Sequence, residues 1–428
     1  MKFRKLKSPI NVQWELTPNC NYKCFHCYNY WRACGYVSEH IDYGIVTDQL
    51  IENNIFKVTL TGGEPLIVFS EIKPYIEKMN KAGIEISINT NAALLTQEMA
   101  KFFKANNIGL LVSLPCCIPE INDKITTVEG SFDSTIAGIK LAMQNKVSVV
   151  VNMVVSKLNK EYVVDTARFL HESLGLNAIN VTKASRPING TSEFDDYALT
   201  IQEFRKMLSD LIFIKQEYSM FVDSLTVYPE CSCDSLETFN IFTKRKCFAG
   251  KANLAIGYNG DVKACARDIV SYGNLGVKTL KDCWDSMEDW RIFDENNLPK
   301  ECQKCNSKYS CQGGCRIDYC NEIPNKCYRD ESNLTTKFET DKSKKCFDYL
   351  VNDTFEVIRE VQFFEEDFGM RGVNLDKNVF FVTKILHVFL IQHHIFSKKD
   401  FIKYFEISSE DANDTLSYLL ANKAIKYN

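Results

Sequence analysis

The chain has 428 residues, 45% of them hydrophobic and 25% charged, and 51 Lys and Arg against 55 Asp and Glu give a formal charge of −4. This composition is typical of a globular chain of about two or three domains and excludes a disordered or collagen-like protein. No run reaches the roughly 18 apolar residues of a membrane span, and the slightly acidic balance lacks the basic face of nucleic-acid binders. We therefore expect a protein that binds neither membrane nor nucleic acid. Because no apolar segment follows the basic N-terminus, we expect no secretory signal and a cytoplasmic location.

The first 215 residues alternate strand-like apolar runs with helical segments. Six such units predict an α/β fold, wound either as an open doubly wound sheet or as a barrel, with the chemistry at the carboxyl ends of the strands. The predicted strands are 12–17, 55–61, 84–90, 108–114, 147–155 and 178–181, and the predicted helices include 70–81, 96–105, 131–144 and 161–174.

Cysteine is the unusual feature of the composition. Eighteen cysteines occur, twelve of them from Cys231 to Cys346. A reducing cytosol disfavours disulfides, and a chain of this length can bury a core without them, so metal ligation is the simplest explanation. The cysteine-rich segment, with its glycine turns and weak helical periodicity, predicts a small domain held together by metal.

Three cysteines follow the first predicted strand as Cys20-x3-Cys24-x2-Cys27. Three thiolates on one loop could bind three irons of a 4Fe-4S cluster and leave the fourth iron open. The alternative is a zinc knuckle completed by His26 or Cys34.

A second motif, TGGEPL over 61–66, follows the second predicted strand. With the cysteine motif before it, the chain resembles the radical S-adenosylmethionine enzymes, which carry CxxxCxxC after the first barrel strand and GGEP after the second. The resemblance implies a partial (β/α)6 TIM-like barrel and a cluster held by Cys20, Cys24 and Cys27. It also implies reductive cleavage of S-adenosylmethionine to a 5′-deoxyadenosyl radical.

The resemblance also implies cofactor contacts at three strand ends. The methionyl group would lie at the GGEP loop and the ribose at the end of the third strand, where Ala92 replaces the usual glycine. At the end of the fourth strand, Pro115 and Cys116 replace an Asp-Gly pair. There Cys116 and Cys117 are candidate catalytic thiols, with simple packing as an equal alternative. The expected cofactor-binding residues are Gly62, Gly63, Glu64, Pro65, Thr90, Asn91 and Ser113.

The cysteine-rich segment resembles the SPASM extension, which typically carries two auxiliary 4Fe-4S clusters. Its pattern CX9-15GX4C is matched by Cys247, Gly260 and Cys265, and CX2CX5CX3C by the four cysteines that begin at Cys302. In isolation a pair of zinc ribbons fits equally well. The resemblance assigns Cys247, Cys265 and Cys315 to the first auxiliary cluster, and Cys302, Cys305 and Cys311 to the second.

The sequence leaves the identity of two cluster ligands undecided: the last cysteine of the pattern and the fourth ligand of the first auxiliary cluster. Cys320, Cys327 and Cys346 could each close the pattern, and we expect Cys346, or Cys327 in its place. Relatives often have a further cysteine soon after Cys247, where this chain has Lys251. The first auxiliary cluster therefore has an open iron, or it is completed by Cys231, Cys233 or Cys283.

The C-terminal residues predict a small winged-helix-like module, with helices over 379–392, 397–404 and 409–421 and a strand over 424–427. Its last helix carries Glu410, Asp411 and Asp414 and no Lys or Arg, which disfavours DNA binding. Docking of a peptide or partner protein is the functional interpretation, and packing against the catalytic domain is the alternative.

The predicted domains are a radical S-adenosylmethionine barrel (1–225), a SPASM domain (226–350) and the C-terminal module (351–428). Enzymes of this architecture imply a peptide maturase with three 4Fe-4S clusters that acts on a ribosomally made precursor peptide, with thioether cross-linking as the candidate reaction. They also imply an electron donor such as flavodoxin or ferredoxin. The alternatives are a dehydrogenase similar to anaerobic sulfatase maturases, which acts on a protein Cys or Ser, and a non-enzymatic zinc-binding interaction protein.

Overall fold

The computed structural model of the protein describes residues 5–29, 39–186, 194, 196–233, 242, 245–321, 353–376 and 378–428. These residues belong to two compact units, which divide after Lys337. No helix among them is both long and apolar enough to cross a membrane. Cys34, Cys327 and Cys346 lie outside the described residues, as does the side chain of Cys320.

The first unit contains a nine-stranded sheet in the order β7-β6-β5-β4-β3-β2-β1-β8-β9. Strands β1 to β7 are parallel and follow one another without a reversal of order. A doubly wound sheet would reverse direction, so the structure is the α/β partial barrel expected from the sequence. The strands are β1 (Asn11–Glu15), β2 (Lys57–Thr61), β3 (Glu85–Thr90), β4 (Gly109–Ser113), β5 (Val149–Val155), β6 (Ala178–Lys183), β7 (Phe221–Asp223), β8 (Asn253–Ile256) and β9 (Val262–Lys263).

The first strands have one apolar and one polar face. On β1, Val12 and Trp14 are buried, whereas Gln13 between them is only half-buried, and β2 to β4 alternate in the same way. The apolar face packs against the crossover helices, which leaves polar side chains on the opposite face. The helices of this part are α1 (Tyr43–Glu52), α2 (Phe69–Lys81), α3 (Gln97–Ala105), α4 (Pro119–Thr126), α5 (Ser131–Gln144), α6 (Val163–Arg168) and α7 (Ile201–Glu217).

The six predicted strands and four predicted helices all form, with ends shifted by a few residues. The largest difference is α6, which ends at Arg168 and continues as a π-helical turn over Phe169–Ser173. The capping box of Thr200 and Glu203 starts α7, which the sequence prediction did not include.

The cysteine-rich segment is joined to the barrel through its hairpin. Strand β8 pairs in parallel with β1, and β9 returns antiparallel to β8. The sheet therefore continues past residue 225, and the predicted domain boundary there stays a prediction. Short helices follow the hairpin: α8 (Leu280–Asp285), α9 (Glu288–Arg291), α10 (Lys300–Gln303), α11 (Lys308–Cys311) and α12 (Arg316–Asn321).

The described residues of the second unit, 353–376 and 378–428, form two three-stranded antiparallel sheets and three helices. The sheets have the orders β14-β10-β15 and β11-β12-β13, and Phe355, Phe389, Phe401 and Leu416 lie in the core between the elements. The strands are β10 (Thr354–Val357), β11 (Gln362–Glu366), β12 (Gly369–Val373), β13 (Val379–Val382), β14 (Ile395–Ser397) and β15 (Ile425–Tyr427), and the helices are α13 (Lys384–Gln392), α14 (Lys398–Phe405) and α15 (Ser409–Ala421).

The structure corrects the prediction at the start of this unit. Residues 379–382 form a strand instead of the first turn of a helix, because the Thr383 hydroxyl accepts a hydrogen bond from Leu386 N (3.1 Å) and caps the helix one residue later. Residues 354–373, for which the sequence analysis gave no element, form three strands, as their aromatic and β-branched residues favour. The three helices and the final strand of the winged-helix-like module are confirmed.

Candidate functional site

The loop that carries Cys20, Cys24 and Cys27 follows β1 and is held in place by backbone hydrogen bonds. Lys23 N donates to Thr126 O (3.1 Å) and Phe25 N to Ile125 O (3.3 Å), at the C-terminal end of α4. All three thiols are half-buried, and Tyr22 N donates to Cys20 Sγ (3.3 Å). A fixed loop with three accessible thiols and an N–H···S bond suits ligation of an iron-sulfur cluster.

His26 lies between Cys24 and Cys27, where the zinc-knuckle alternative would use it as a ligand. In the described parts of the chain, no three His, Cys, Asp or Glu side chains lie close enough together to hold one metal ion. A four-iron cluster needs no such convergence, because each thiolate binds a different iron. Burial lowers the pKa of His26 to about 4, so the imidazole is neutral at physiological pH.

The GGEP loop packs directly against the cluster loop. Gly63 N donates to Thr17 O (2.5 Å) and Glu64 N to Asn19 O (2.7 Å). A Cβ on Gly63 would lie 2.0 Å from Asn19 O, and Gly62 has a φ of +136°, so both positions require glycine. Pro65 begins the short 3-10 turn that follows.

Glu64 joins the ends of β2 and β3. Its carboxylate is 1% exposed and accepts hydrogen bonds from Leu66 N (3.1 Å), Thr90 Oγ1 (2.6 Å) and Asn91 N (2.8 Å). Burial outweighs these three donors and raises its pKa to about 7. The side chain therefore fixes the backbone of two neighbouring strand ends.

Asn91 completes the connection to the cluster loop. Its Nδ2 donates to Asn21 Oδ1 (2.8 Å), next to Cys20. Glu64, Thr90, Asn91 and Asn21 thus form one chain of hydrogen bonds, which we name the motif network, through the three motifs identified in the sequence. Ala92, where relatives have glycine, is fully buried with a φ of +59°.

Ser113 lies at the exposed end of β4 and begins a row of polar residues across the sheet. It is in register with Asn152, which is in register with Asn180, and Asn180 with Asp223. Asn152 is buried, and its Oδ1 has no hydrogen-bond partner among the described residues. A buried acceptor without a partner beside Ser113 is suited to a bound ligand. Sequence analysis did not identify Asn152, although an amide within the apolar run 149–155 was the available signal.

The two candidate thiols Cys116 and Cys117 lie against α6. Cys117 N donates to Thr166 Oγ1 (3.2 Å), and Cys116 is fully buried. A hydrogen bond from Cys116 lowers the pKa of Cys117 to about 7 and raises that of Cys116. A role of either thiol in catalysis stays a prediction.

Cys265 lies among the thiols assigned to the first auxiliary cluster. Burial raises the pKa of Cys265 and raises that of Cys315 to about 12, and each would be raised further by a negative charge on a neighbouring thiolate of the group. Buried thiols become stable thiolates only when positive charge compensates them, as iron does. The donor set therefore fits an iron-sulfur cluster.

A buried ion pair ties this site to the barrel. Lys263 Nζ lies 3.1 Å from Glu15 Oε2, and both side chains are 1% exposed. Close by, the Tyr28 hydroxyl accepts a hydrogen bond from Gln13 Nε2 (2.9 Å). Burial raises the pKa of Tyr28, and negative charge on Glu15, Cys27 and Cys265 would raise it further. Cys265, which follows Lys263 by two residues, thus lies near the carboxyl end of β1 and the cluster loop.

The second auxiliary group is on the short helices α10 and α11. Cys305 N donates to Cys302 O (3.1 Å), and Glu230 N donates to Cys311 Sγ (3.3 Å). The turn that contains Cys231 therefore lies against the second group. Its last ligand, Cys346 or Cys327, is outside the described residues.

The fourth ligand of the first cluster is not identified by geometry. Cys283 is buried in α8 and faces Gly273 and Lys278. A cavity of about 60 Å³ next to Cys247 is also lined by Lys251, Trp290 and Arg316. Burial lowers the pKa of Lys251, whose Nζ donates to Gln312 Oε1 (3.4 Å).

Comparisons with known proteins agree with this geometry. The Radical SAM superfamily matches residues 14–170, and an iron-sulfur cluster-binding domain, SPASM, matches residues 247–306. The cysteine-type anaerobic sulfatase-maturating enzyme of Clostridium novyi is 25% identical over 333 residues, 72% of this chain and 87% of the relative.

One further relative is a maturase, and one solved structure contains a bound precursor peptide. The mycofactocin maturase MftC of Mycobacterium tuberculosis is 28% identical over 323 residues, 73% of this chain and 79% of the relative. The structure of Streptococcus suis SuiB bound to its precursor peptide SuiA has a TM-score of 0.58 at 18% identity and covers 77% of this chain and 76% of SuiB. The chain therefore belongs to the radical S-adenosylmethionine enzymes with a SPASM domain, whose cofactors are iron-sulfur clusters and S-adenosylmethionine.

Proposed function

We propose that this enzyme is a peptide maturase that modifies a ribosomally made precursor peptide. The observation that carries the radical chemistry of this proposal is the motif network, which fixes the GGEP loop, the end of β3 and the cluster loop against one another. The first auxiliary site beside it adds a second redox centre at the same strand ends. The relatives MftC and SuiB support a peptide as the substrate class.

Each cofactor has proposed protein ligands. Cys20, Cys24 and Cys27 would hold the first 4Fe-4S cluster, and the two auxiliary groups would bring the total to three. The closely packed backbone of Gly62 and Gly63 would face the methionyl group. Ser113 would contact the ribose, together with Thr90 and Asn91. When bound, S-adenosylmethionine and the clusters would supply the radical that takes a hydrogen atom from the peptide and the acceptor for the remaining electron.

The protein residues prepare the site before any cofactor binds. Glu64 holds the amide of Asn91 and the hydroxyl of Thr90, and Asn91 holds the cluster loop through Asn21. Because these groups are already hydrogen-bonded, binding does not have to order them. A flavodoxin or ferredoxin would supply the reducing electron.

The second unit is proposed to hold the peptide. Strand β13 is an edge of its sheet, and the Tyr418 hydroxyl of α15 accepts from Phe381 N (3.0 Å) and donates to Phe381 O (3.1 Å). These outward backbone groups are the ones that an added peptide strand would use. Tyr418 is 41% exposed and could give way. The acidic start of α15 favours a basic peptide segment.

Thioether formation is the proposed reaction. Joining a cysteine sulfur to a peptide carbon removes two hydrogens: the carbon gives up a hydrogen atom, and the thiol gives up a proton and an electron. The cavity beside Cys247, lined by Lys251 and Arg316, offers positive charge to a substrate thiolate. It lies where relatives often have another cysteine.

The test is anaerobic incubation of the reconstituted enzyme with S-adenosylmethionine, a reductant and a cysteine-containing peptide encoded beside its gene. The proposal predicts 5′-deoxyadenosine and a peptide that has lost two hydrogens and one alkylatable thiol. A new carbon–carbon bond with every thiol free would refute the thioether. Oxidation of a Cys or Ser in a folded protein, with the peptide unchanged, would favour the sulfatase-maturase-like alternative.

A further inference from the structure

Arg267 contacts two cysteines that lie 50 residues apart in the chain, Cys265 and Cys315. Its backbone N donates to Cys265 Sγ (3.5 Å), and its Nη1 donates to Cys315 Sγ (3.9 Å). One residue therefore provides a donor to two of the three thiols assigned to the first auxiliary cluster.

The guanidinium is held in this position by a carboxylate. Arg267 Nη2 donates to Asp318 Oδ1 (2.6 Å), and the two side chains are 17% and 13% exposed. A largely buried arginine that is paired with a carboxylate has few alternative side-chain positions, and its planar guanidinium keeps a fixed orientation.

Positive charge and N–H donors next to the sulfurs stabilise the reduced, more negative state of an iron-sulfur cluster. The same contacts orient the two cysteines from outside the ligand set, as the second layer of groups around a metal site does. Lys251 lines the cavity beside Cys247, whereas Arg267 donates to Cys265 and Cys315.

We propose that Arg267 is a positioning residue that holds the first auxiliary cluster at a higher reduction potential, poised to accept the electron left by peptide oxidation. This inference rests on the proposed first auxiliary cluster. It adds to that assignment a residue that is not a ligand, and it predicts a change in potential without loss of iron.

The experiment uses the full chain, purified anaerobically, with Cys20, Cys24 and Cys27 replaced by Ala so that only auxiliary clusters contribute to the EPR spectrum. Redox titrations compare this background with added Arg267→Gln, Arg267→Lys or Lys281→Gln. Lys281 is an exposed cation on α8 that pairs with Asp285, and its variant is the matched control for loss of one positive charge.

One auxiliary signal should move to a more negative midpoint potential in Arg267→Gln and by a smaller amount in Arg267→Lys, with iron content and the other signal unchanged. Lys281→Gln should match the background. An unchanged midpoint in Arg267→Gln at full iron content, or an equal shift in Lys281→Gln, would overturn the role of Arg267.

If Arg267→Gln loses iron, Arg267→Lys decides the question. A negative shift at full iron content supports the proposal, and the background midpoint overturns it. A background protein without auxiliary iron would instead refute the cluster assignment and the inference with it.

Discussion

Replacing Glu64 by Gln should loosen the end of β3 by an amount that follows from the hydrogen bonds. In the wild type, Oε1 accepts from Leu66 N and Thr90 Oγ1, and Oε2 accepts from Asn91 N. The Gln amide can keep an oxygen at the first position, but it then presents NH2 to the N–H of Asn91. A buried donor left without an acceptor costs about 1–3 kcal/mol, which corresponds to about 5- to 150-fold faster local opening.

Hydrogen exchange of peptides covering Asn91, measured by mass spectrometry at pH 8, tests this. Glu85→Gln is the control, because it makes the same chemical change on β3 at a surface pair with Lys57, where loss of up to about 1 kcal/mol is typical. We expect faster exchange at Asn91 only in Glu64→Gln. Equal exchange in wild type and Glu64→Gln would refute the structural role of Glu64.

The contribution of Glu64 to stability depends on pH with a definite sign. Burial raises the pKa of Glu64 from 4.5 to about 7, so the folded state binds the proton more tightly than the unfolded state. The stability gained from that proton is complete below 4.5 and is lost as the pH rises through about 7. The wild type should therefore gain free energy of unfolding relative to Glu64→Gln between pH 8 and pH 5, by at most about 3 kcal/mol in chemical denaturation. A difference that shrinks as the pH falls would contradict this.

Three other changes give separable outcomes. Ala92→Gly should raise the melting temperature, because glycine removes about 1 kcal/mol of strain at a positive φ, whereas Ala100→Gly inside α3 should lower it; a lower melting temperature for Ala92→Gly would contradict the backbone assignment. Lys263→Met should destabilise by about 3–5 kcal/mol in chemical denaturation, since Glu15 is left buried without its cation, and Glu15→Leu should recover part of that loss; equal or greater loss in the double variant would contradict the pairing. Deleting residues 353–428 should weaken peptide affinity, measured by fluorescence anisotropy, and leave peptide-independent 5′-deoxyadenosine formation unchanged; unchanged affinity would refute the docking role.

The barrel could be predicted because its signal is local. Apolar runs and the caps between them determine each strand and helix, so the positions of the cysteine loop and of Glu64 followed from the sequence. The C-terminal unit was harder to predict from the sequence, because the apolar run after residue 378 suits a strand and a helix equally well. Only the cap at Thr383 separates the two.

The contacts that the sequence could not reveal are long-range. Glu15 and Lys263 are 248 residues apart, and no local pattern marks them as partners. Arg267 was visible two residues after Cys265, but its contact with Cys315 depends on how α12 packs. Asn152 was an amide in an apolar strand, and only its register with Ser113 gives it a place in the site.

The most direct test of the central claim is 5′-deoxyadenosine formation by the triple variant Cys20→Ala, Cys24→Ala, Cys27→Ala, measured together with its iron and sulfide. These three cysteines are expected to hold the cluster that cleaves S-adenosylmethionine, and the auxiliary groups use other residues. We predict that the variant forms no 5′-deoxyadenosine and retains about two thirds of the wild-type iron, as expected when one of three four-iron clusters is lost. Wild-type 5′-deoxyadenosine formation in the triple variant, or zinc in place of iron in the wild-type protein, would contradict the account.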